Sequence, residues 1–194
     1  GVNNGAVPSA RGYSFDGVSG SIYDNSSDKD NTNITVLVWV KNTSTADTIR
    51  YAVHCVNTGA SIGGSAFTMM ILKEKFSFSF NSNNYLDSNI YPEIGTWFYL
   101  TLIYDGTVAK SFVNSVEVNN IVVAPTSNAT KISIGGFDPS TRVWDGNIAD
   151  VRIYDRALSA EEINILYETT NPESPTKMKM TEDALYIQGQ FKEV

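Results

Sequence analysis

Residues 144–168 read Trp-Asp-Gly-Asn-Ile-Ala-Asp-Val-Arg-Ile-Tyr-Asp-Arg-Ala-Leu-Ser-Ala-Glu-Glu-Ile-Asn-Ile-Leu-Tyr-Glu. This phrase holds a turn, a strand and a short helix. Asp145 and Gly146 are turn residues, and Val151, Ile153 and Tyr154 have strand composition. Ser159 is a good helix N-cap, and Glu162 three residues later completes the pattern of a capping box. Ile163, Leu166 and Tyr167 then form a narrow apolar stripe at helical spacing.

Upstream, the dominant signal is alternation. Ile34, Val36, Val38 and Val40 fall on one face of a strand, and Thr35, Leu37, Trp39 and Lys41 on the other. Apolar groups on both faces predict a strand covered on two sides. Phe67 to Leu72 and Phe76 to Phe80 read as two strands around Lys73-Glu74-Lys75, with Phe76, Phe78 and Phe80 sharing a face. Residues 97–104 and 108–116 read as a hairpin around Asp105-Gly106, a strong turn dipeptide. Residues 117–123 and 131–136 are further strands, and residues 81–91 read as an Asn/Ser-rich loop carrying Tyr85 and Tyr91.

The 144–168 phrase resembles the end of laminin-G-like, concanavalin-A-type jelly-roll domains. These finish with an aromatic-x-Gly-x-Ile strand, then Val-Arg-Ile-Tyr-x-Arg-Ala-Leu-Ser and a helical turn. The rest agrees in order. Phe15-Asp16-Gly17 is similar to an early turn of the family, and Trp39-Val40-Lys41 to its first long central strand. Trp97 with Tyr104-Asp105-Gly106, Lys110 to Asn114, and Lys131 to Gly135 resemble its later strands, with Ser115 standing where Gly usually follows the Asn. The resemblance covers about residues 5–168 and implies an all-β fold. It is a two-sheet antiparallel jelly-roll sandwich with one short C-terminal helix. The domain is expected over residues 1–170, followed by a Pro-containing linker and a β tail over 171–194.

Composition narrows the function. The formal net charge of -7 argues against a nucleic-acid partner, which needs a basic surface. No apolar run is long enough to span a membrane as a helix. Cys55 is the only cysteine, which rules out an intrachain disulfide, and it reads as a buried, inert thiol in a strand with the only histidine, His54. Four glycosylation sequons, at Asn25, Asn33, Asn42 and Asn128, are what chance gives in a chain so rich in Asn, Ser and Thr.

Enzyme chemistry is not expected. Glycosidases on this fold need paired carboxylates, commonly as Glu-x-Asp-x-x-Glu on one strand, and no such run exists here. Glu161 and Glu162 read as solvated charges on the helix. The resemblance implies a calcium held by Asp16 and Asp150, although Ala149 stands where the family usually has an Asp. Trp39, Trp97 and Trp144 match core positions of the family. The aromatics left for stacking on sugar are Tyr23, Tyr85 and Tyr91, with Asn81, Asn83 and Asp87 to bond hydroxyls.

The expected role is therefore non-catalytic binding or adhesion, with a glycan or a surface protein as partner. The expected setting is extracellular, on a cell surface or on a virus particle. The alternative is a structural decoration or assembly module working through protein–protein contacts. In the family a first strand lies beside the segment matching Ile148–Tyr154, and this chain begins after it. The resemblance thus implies an open sheet edge. Leu185 to Val194, beyond the Pro172–Pro175 linker, has strand character. It is expected to fill that edge in its own chain or in a neighbour, giving a homo-oligomer or larger assembly.

Overall fold

The alternating stretches become strands. The computed structural model describes residues 2–9, 11–24, 33–56, 65–80, 84–123, 131–137 and 140–173. In chain order the elements are β1 (Val2–Asn4), β2 (Val7–Ser9), β3 (Gly12–Asp16), β4 (Ser21–Asp24), β5 (Ile34–Asn42), β6 (Arg50–Val56), β7 (Ser65–Leu72), β8 (Lys75–Phe80), β9 (Asn84–Asp87), β10 (Trp97–Tyr104), β11 (Val108–Val113), β12 (Val116–Val122), β13 (Lys131–Ile134), β14 (Asp145–Tyr154) and α1 (Ala160–Thr170).

They form two seven-stranded sheets. The front sheet runs β1-β4-β13-β6-β7-β8-β9, and the back sheet runs β12-β11-β10-β5-β14-β3-β2. Every pairing is antiparallel. The two-sheet jelly roll expected from the sequence is the fold observed.

β5 sits mid-sheet between β10 and β14, and its two faces serve two cores. Val36, Val38 and Val40 point between the sheets, where they meet Phe67, Met69, Phe76, Phe78 and Phe80 of the front sheet. Leu37 and Trp39 point the other way, into a second cluster with Tyr99, Phe112 and Ile163 of α1. Thus α1 covers the outer face of the back sheet. The capping box is complete: Ser159 Oγ accepts from Glu162 N, and the Glu162 carboxylate accepts from Ser159 N. Arg156 grips the same carboxylate with two N–H groups, at 3.0 and 2.6 Å. Thr35 ties the approach to the helix, donating to Arg156 O and accepting from Leu158 N. At the far end, the Trp39 indole N–H donates to Thr170 Oγ1 at 2.8 Å, and Tyr167 stacks on the Trp39 ring.

Trp39, Trp97 and Trp144 are all buried, as expected for core residues. Gly146, the glycine of the aromatic-x-Gly-x-Ile strand, has φ 136°, and a Cβ there would lie 2.0 Å from the Lys41 carbonyl oxygen. Only glycine permits β14 to approach β5 so closely. The β7–β8 and β11–β12 hairpins turn through Lys73-Glu74 and Asn114-Ser115, all four at positive φ. That is the signature of a type I′ turn, and Ser115 adopts at φ 64° what a glycine adopts freely. Asn42 is buried and bonded to Arg50 and Ser44, so its sequon is not accessible.

Three expectations need correction. Part of the 81–91 loop is a strand: β9 pairs along β8, with Leu86 opposite Phe78. The N-terminal residues also form strands, β1 against β4 and β2 against β3. The open edge is shorter than the resemblance implied, because β3 covers Asp145–Ile148 of β14. Among the described residues, Asp150–Tyr154 has a strand partner on the β5 side alone. The tail strand expected over Leu185–Val194 lies outside the described residues.

Candidate sugar-binding face

Strand register brings distant residues into one line. Across the front sheet, Tyr23 of β4 lies opposite Ser133 of β13, Ser133 opposite His54 of β6, and His54 opposite Thr68 of β7. Thr68 lies opposite Ser79 of β8, and Ser79 opposite Tyr85 of β9. Directly paired residues share a face, so these six side chains form a transverse row on the side away from the core. The row spans five inter-strand steps, about 24 Å at about 4.8 Å each. A tyrosine stands at each end and hydroxyl-bearing or imidazole side chains lie between. A second row, Tyr51, Met70, Ser77 and Asp87, runs beside it on the same face.

The middle of the first row is buried and internally bonded. His54 Nδ1 and Thr68 Oγ1 are 2.8 Å apart, and Ser133 Oγ donates to Gly136 O at 2.6 Å. The imidazole lies against the rings of Tyr51 and Phe137. Burial, followed by the nearby Arg142 and Lys131, depresses the His54 pKa to about 3, so the ring is neutral at pH 7. Its Nε2 has no hydrogen-bond partner among the described residues.

The β9 end is open. Tyr85 is 56% exposed and Tyr91 60%. Between them, Asp87 accepts from Ser77 Oγ at 2.7 Å and pairs with Lys75 Nζ at 2.9 Å. Those two bonds, Lys75 first, hold the Asp87 carboxyl below the ordinary carboxylate range. Lys75 also donates to Asn89 Oδ1. Residues 88–90 are fastened to the start of β8: Ser88 N and Oγ both donate to Phe76 O, and Phe76 N donates to Ile90 O. Tyr91 follows directly from this anchored segment.

Of the residues singled out from sequence, Tyr23, Tyr85 and Asp87 therefore share one sheet face, and Tyr91 adjoins its open end. Asn81 and Asn83 lie outside the described residues. Sequence reasoning missed Lys75, Ser77, Tyr51 and Arg142, which reach this face through register or through contacts remote in the chain.

The expected calcium pair is not assembled. Asp16 lies opposite Asp145, not Asp150. Asp150 is five positions further along β14, about 16 Å at about 3.3 Å per residue, beyond the reach of a shared ion. Asp16 Oδ1 accepts from the Val18 and Ser19 N–H groups at 2.8 and 2.7 Å, an Asx turn. Those backbone donors lower its pKa. Asp145 Oδ1 accepts from Thr43 Oγ1. Asp150 stands at a bulge with φ 48°, and Arg152 Nε occupies its Oδ1 at 2.9 Å. A guanidinium in that position competes with a metal, so Asp150 does not suit calcium despite its unpartnered second oxygen. Among the described residues, no three His, Cys, Asp or Glu side chains gather in a way that suits a metal ion.

The family profile of the concanavalin A-like lectin/glucanase superfamily, of the laminin-G type, matches residues 16–164. The chain belongs to that superfamily. A search of curated protein sequences finds no match. Among solved structures, the fold is similar to a heptameric pentraxin from Limulus polyphemus, with a TM-score of 0.63 at 16% identity over 79% of this chain and 80% of that one. It is similar to a Trypanosoma rangeli sialidase in complex with 2,3-difluorosialic acid, with a TM-score of 0.67 at 16% identity over 84% of this chain but 28% of that one. A third similarity is to botulinum neurotoxin type C, in the structure that describes its dependence on two ganglioside molecules for cell entry. There the TM-score is 0.58 at 15% identity, over 78% of this chain and 40% of that one. The chain thus spans well under half of the sialidase and toxin chains. At these identities the likeness is one of fold.

Proposed function

We propose that this lectin-like jelly roll is a non-catalytic saccharide-binding module, and that it binds through the outer face of its front sheet. The observation that carries this reading is the open β9 end of that face, where exposed Tyr85 and Tyr91 flank Asp87. Exposed rings offer flat apolar surface to a pyranose, and the adjoining carboxylate suits sugar hydroxyls. The sialic-acid analogue on the sialidase and the gangliosides of the neurotoxin lend support by analogy of fold. The absence of a Glu-x-Asp-x-x-Glu strand supports binding without cleavage. The setting we propose is an exposed one, outside the cell or on a virus particle.

The test is a glycan array in the presence and absence of calcium. Binding is expected, equal in both conditions, and weakened about tenfold or more by Tyr85→Ala or Tyr91→Ala with the melting temperature unchanged. An array on which nothing binds, or variants that bind as well as the parent, would overturn the reading. Binding that vanishes in chelator would restore a calcium site.

A second reading, an assembly module, is favoured by one observation: the Asp150–Tyr154 edge carries backbone groups with no strand beside them among the described residues. Such an edge suits strand addition by the chain's own tail or by a neighbour. Deleting residues 176–194 tests it: an unchanged melting temperature and an unchanged mass in solution would refute it.

A further inference from the structure

Three features converge around His54. The first is a pair of cations without counter-charges. The Arg142 guanidinium lies 5.1 Å from the Tyr51 ring centroid and donates from Nη1 to Tyr51 Oη. The Lys131 ammonium lies 4.9 Å from the Tyr23 ring centroid. Among the described residues neither forms an ion pair, whereas Lys75, Lys110, Arg152 and Arg156 all do. In a chain of net charge -7, two neighbouring cations with no carboxylate paired to them among the described residues make a local positive spot.

The second feature is the buried His54 Nε2, which has no hydrogen-bond partner among the described residues and lies at the tip of the ring away from the backbone. Nδ1, nearer the backbone, is taken by Thr68 Oγ1. That bond uses one ring nitrogen and leaves Nε2 as the polar atom still to be satisfied. Burial without a partner is costly, and a polar atom left so calls for a water, an ion or a ligand group. The third feature is backbone strain. Arg142 is held at φ 56°, a conformation that costs a non-glycine residue free energy. The surrounding hydrogen bond from Tyr51 N to Arg142 O fixes it there and delivers the side chain to the sheet face.

We propose that the region between Tyr23 and Tyr51 on the front sheet binds the carboxylate of an acidic saccharide, held by Arg142 and Lys131 above the buried His54 ring. The buried Tyr51 ring supports the Arg142 guanidinium from below, and the half-buried Tyr23 ring lies under Lys131. The planar fork of Arg142 matches a carboxylate, which accepts two parallel N–H bonds. The proposal rests on the saccharide-binding reading above and names the ligand class for the same sheet face.

The experiment is calorimetric titration of the full chain with four probes: lactose, 3′-sialyllactose, a galacturonate oligomer and lactose 3′-sulfate. At least one carboxylated probe is expected to bind about 10- to 100-fold more tightly than lactose. That preference should shrink as salt is raised. Arg142→Gln and Lys131→Gln should each reduce the preference by roughly tenfold, while Lys110→Gln on the back sheet leaves it intact. The readout is a ratio of affinities, which a general loss of stability does not move. If Arg142→Gln fails to fold, the half-buried Lys131→Gln decides. Equal binding of lactose and both carboxylated probes, or a preference indifferent to both substitutions, would overturn the proposal while leaving saccharide binding standing. The sulfated probe binding as tightly as the carboxylated ones would overturn the assignment to a carboxylate. No binding by any saccharide on the array would remove both readings together.

Discussion

The clamp between Trp39 and Thr170 makes a quantitative claim about how α1 is held. Trp39 is buried at the centre of the back sheet, and its indole N–H has a single acceptor, Thr170 Oγ1, at 2.8 Å. Thr170 Oγ1 itself donates to Leu166 O at 2.6 Å. Thr170→Val keeps the shape and removes the oxygen, leaving the indole donor buried and unpaired. That costs about 1–3 kcal/mol. Trp39→Phe removes the donor instead and costs about 1–3 kcal/mol through lost transfer energy and a cavity. In the Trp39→Phe background, Thr170→Val strands nothing, so its cost falls to about 0.5 kcal/mol or less. The cycle should therefore show a coupling of about 1–2 kcal/mol. Urea unfolding followed by far-UV circular dichroism measures it. With a slope near 2 kcal/mol/M, Thr170→Val alone should move the midpoint by about 0.5–1.5 M at constant slope. If Thr170→Val costs the same in both backgrounds, the hydrogen bond does not form and the reasoning about the helix clamp is wrong.

Two further outcomes follow from local geometry and from charge. Ser115→Gly should raise stability by about 1 kcal/mol, or roughly 2–4 °C in melting temperature, because Ser115 sits at φ 64° and its hydroxyl donates only an exposed bond to Asn164 among the described residues; an unchanged or lower melting temperature would count against the turn assignment. The His54 pKa, about 3 when folded, lies below its ordinary 6.5, so the unfolded chain takes up the proton first. The contribution of neutral His54 is whole above pH 6.5 and is lost as pH falls toward 3, with a slope of at most about 1.4 kcal/mol per pH unit. His54→Leu should flatten the stretch from pH 6.5 to 5, above the range where carboxylates titrate. Urea midpoints that keep the same slope in both proteins would show that the imidazole is not buried as described.

Legibility in the sequence followed the range of the interaction. β5 announced itself because both alternating sets are apolar, which happens when a strand has a sheet on one side and a helix on the other. The helix was readable from Ser159 and Glu162, since a capping box is complete within four residues. The sugar-binding candidates were chosen singly, as exposed aromatics near Asn and Asp. That Tyr23 and Tyr85 end one row depends on the register of four intervening strands, and no local pattern encodes it. That Asp16 and Asp150 are not brought together has a similar reason. Asp145 and Asp150 lie on one strand, and only the pairing with β3 determines which of them faces Asp16. Arg142 meets Tyr51 across 91 positions of chain, and its positive φ has no mark in the residue type. β1 and β2 were missed because three residues are too few to show a period.

The central position of β5 has a consequence for how the chain is made. One of its neighbours, β10, is synthesised about sixty residues later, but the other, β14, emerges on the order of a hundred residues after β5 itself. Until then the most apolar strand of the back sheet has one flank without a partner, and its outer face lacks α1. β3 waits too, because its own place in the sheet is against β14. The nascent protein therefore carries a hydrophobic, unpaired strand for on the order of a hundred residues of synthesis, and closure of this sheet is assigned to β14 and the helix that follows. Shortening the chain before Tyr154 should yield aggregates rather than a smaller soluble domain, and full-length chains should depend on chaperones during, rather than after, translation.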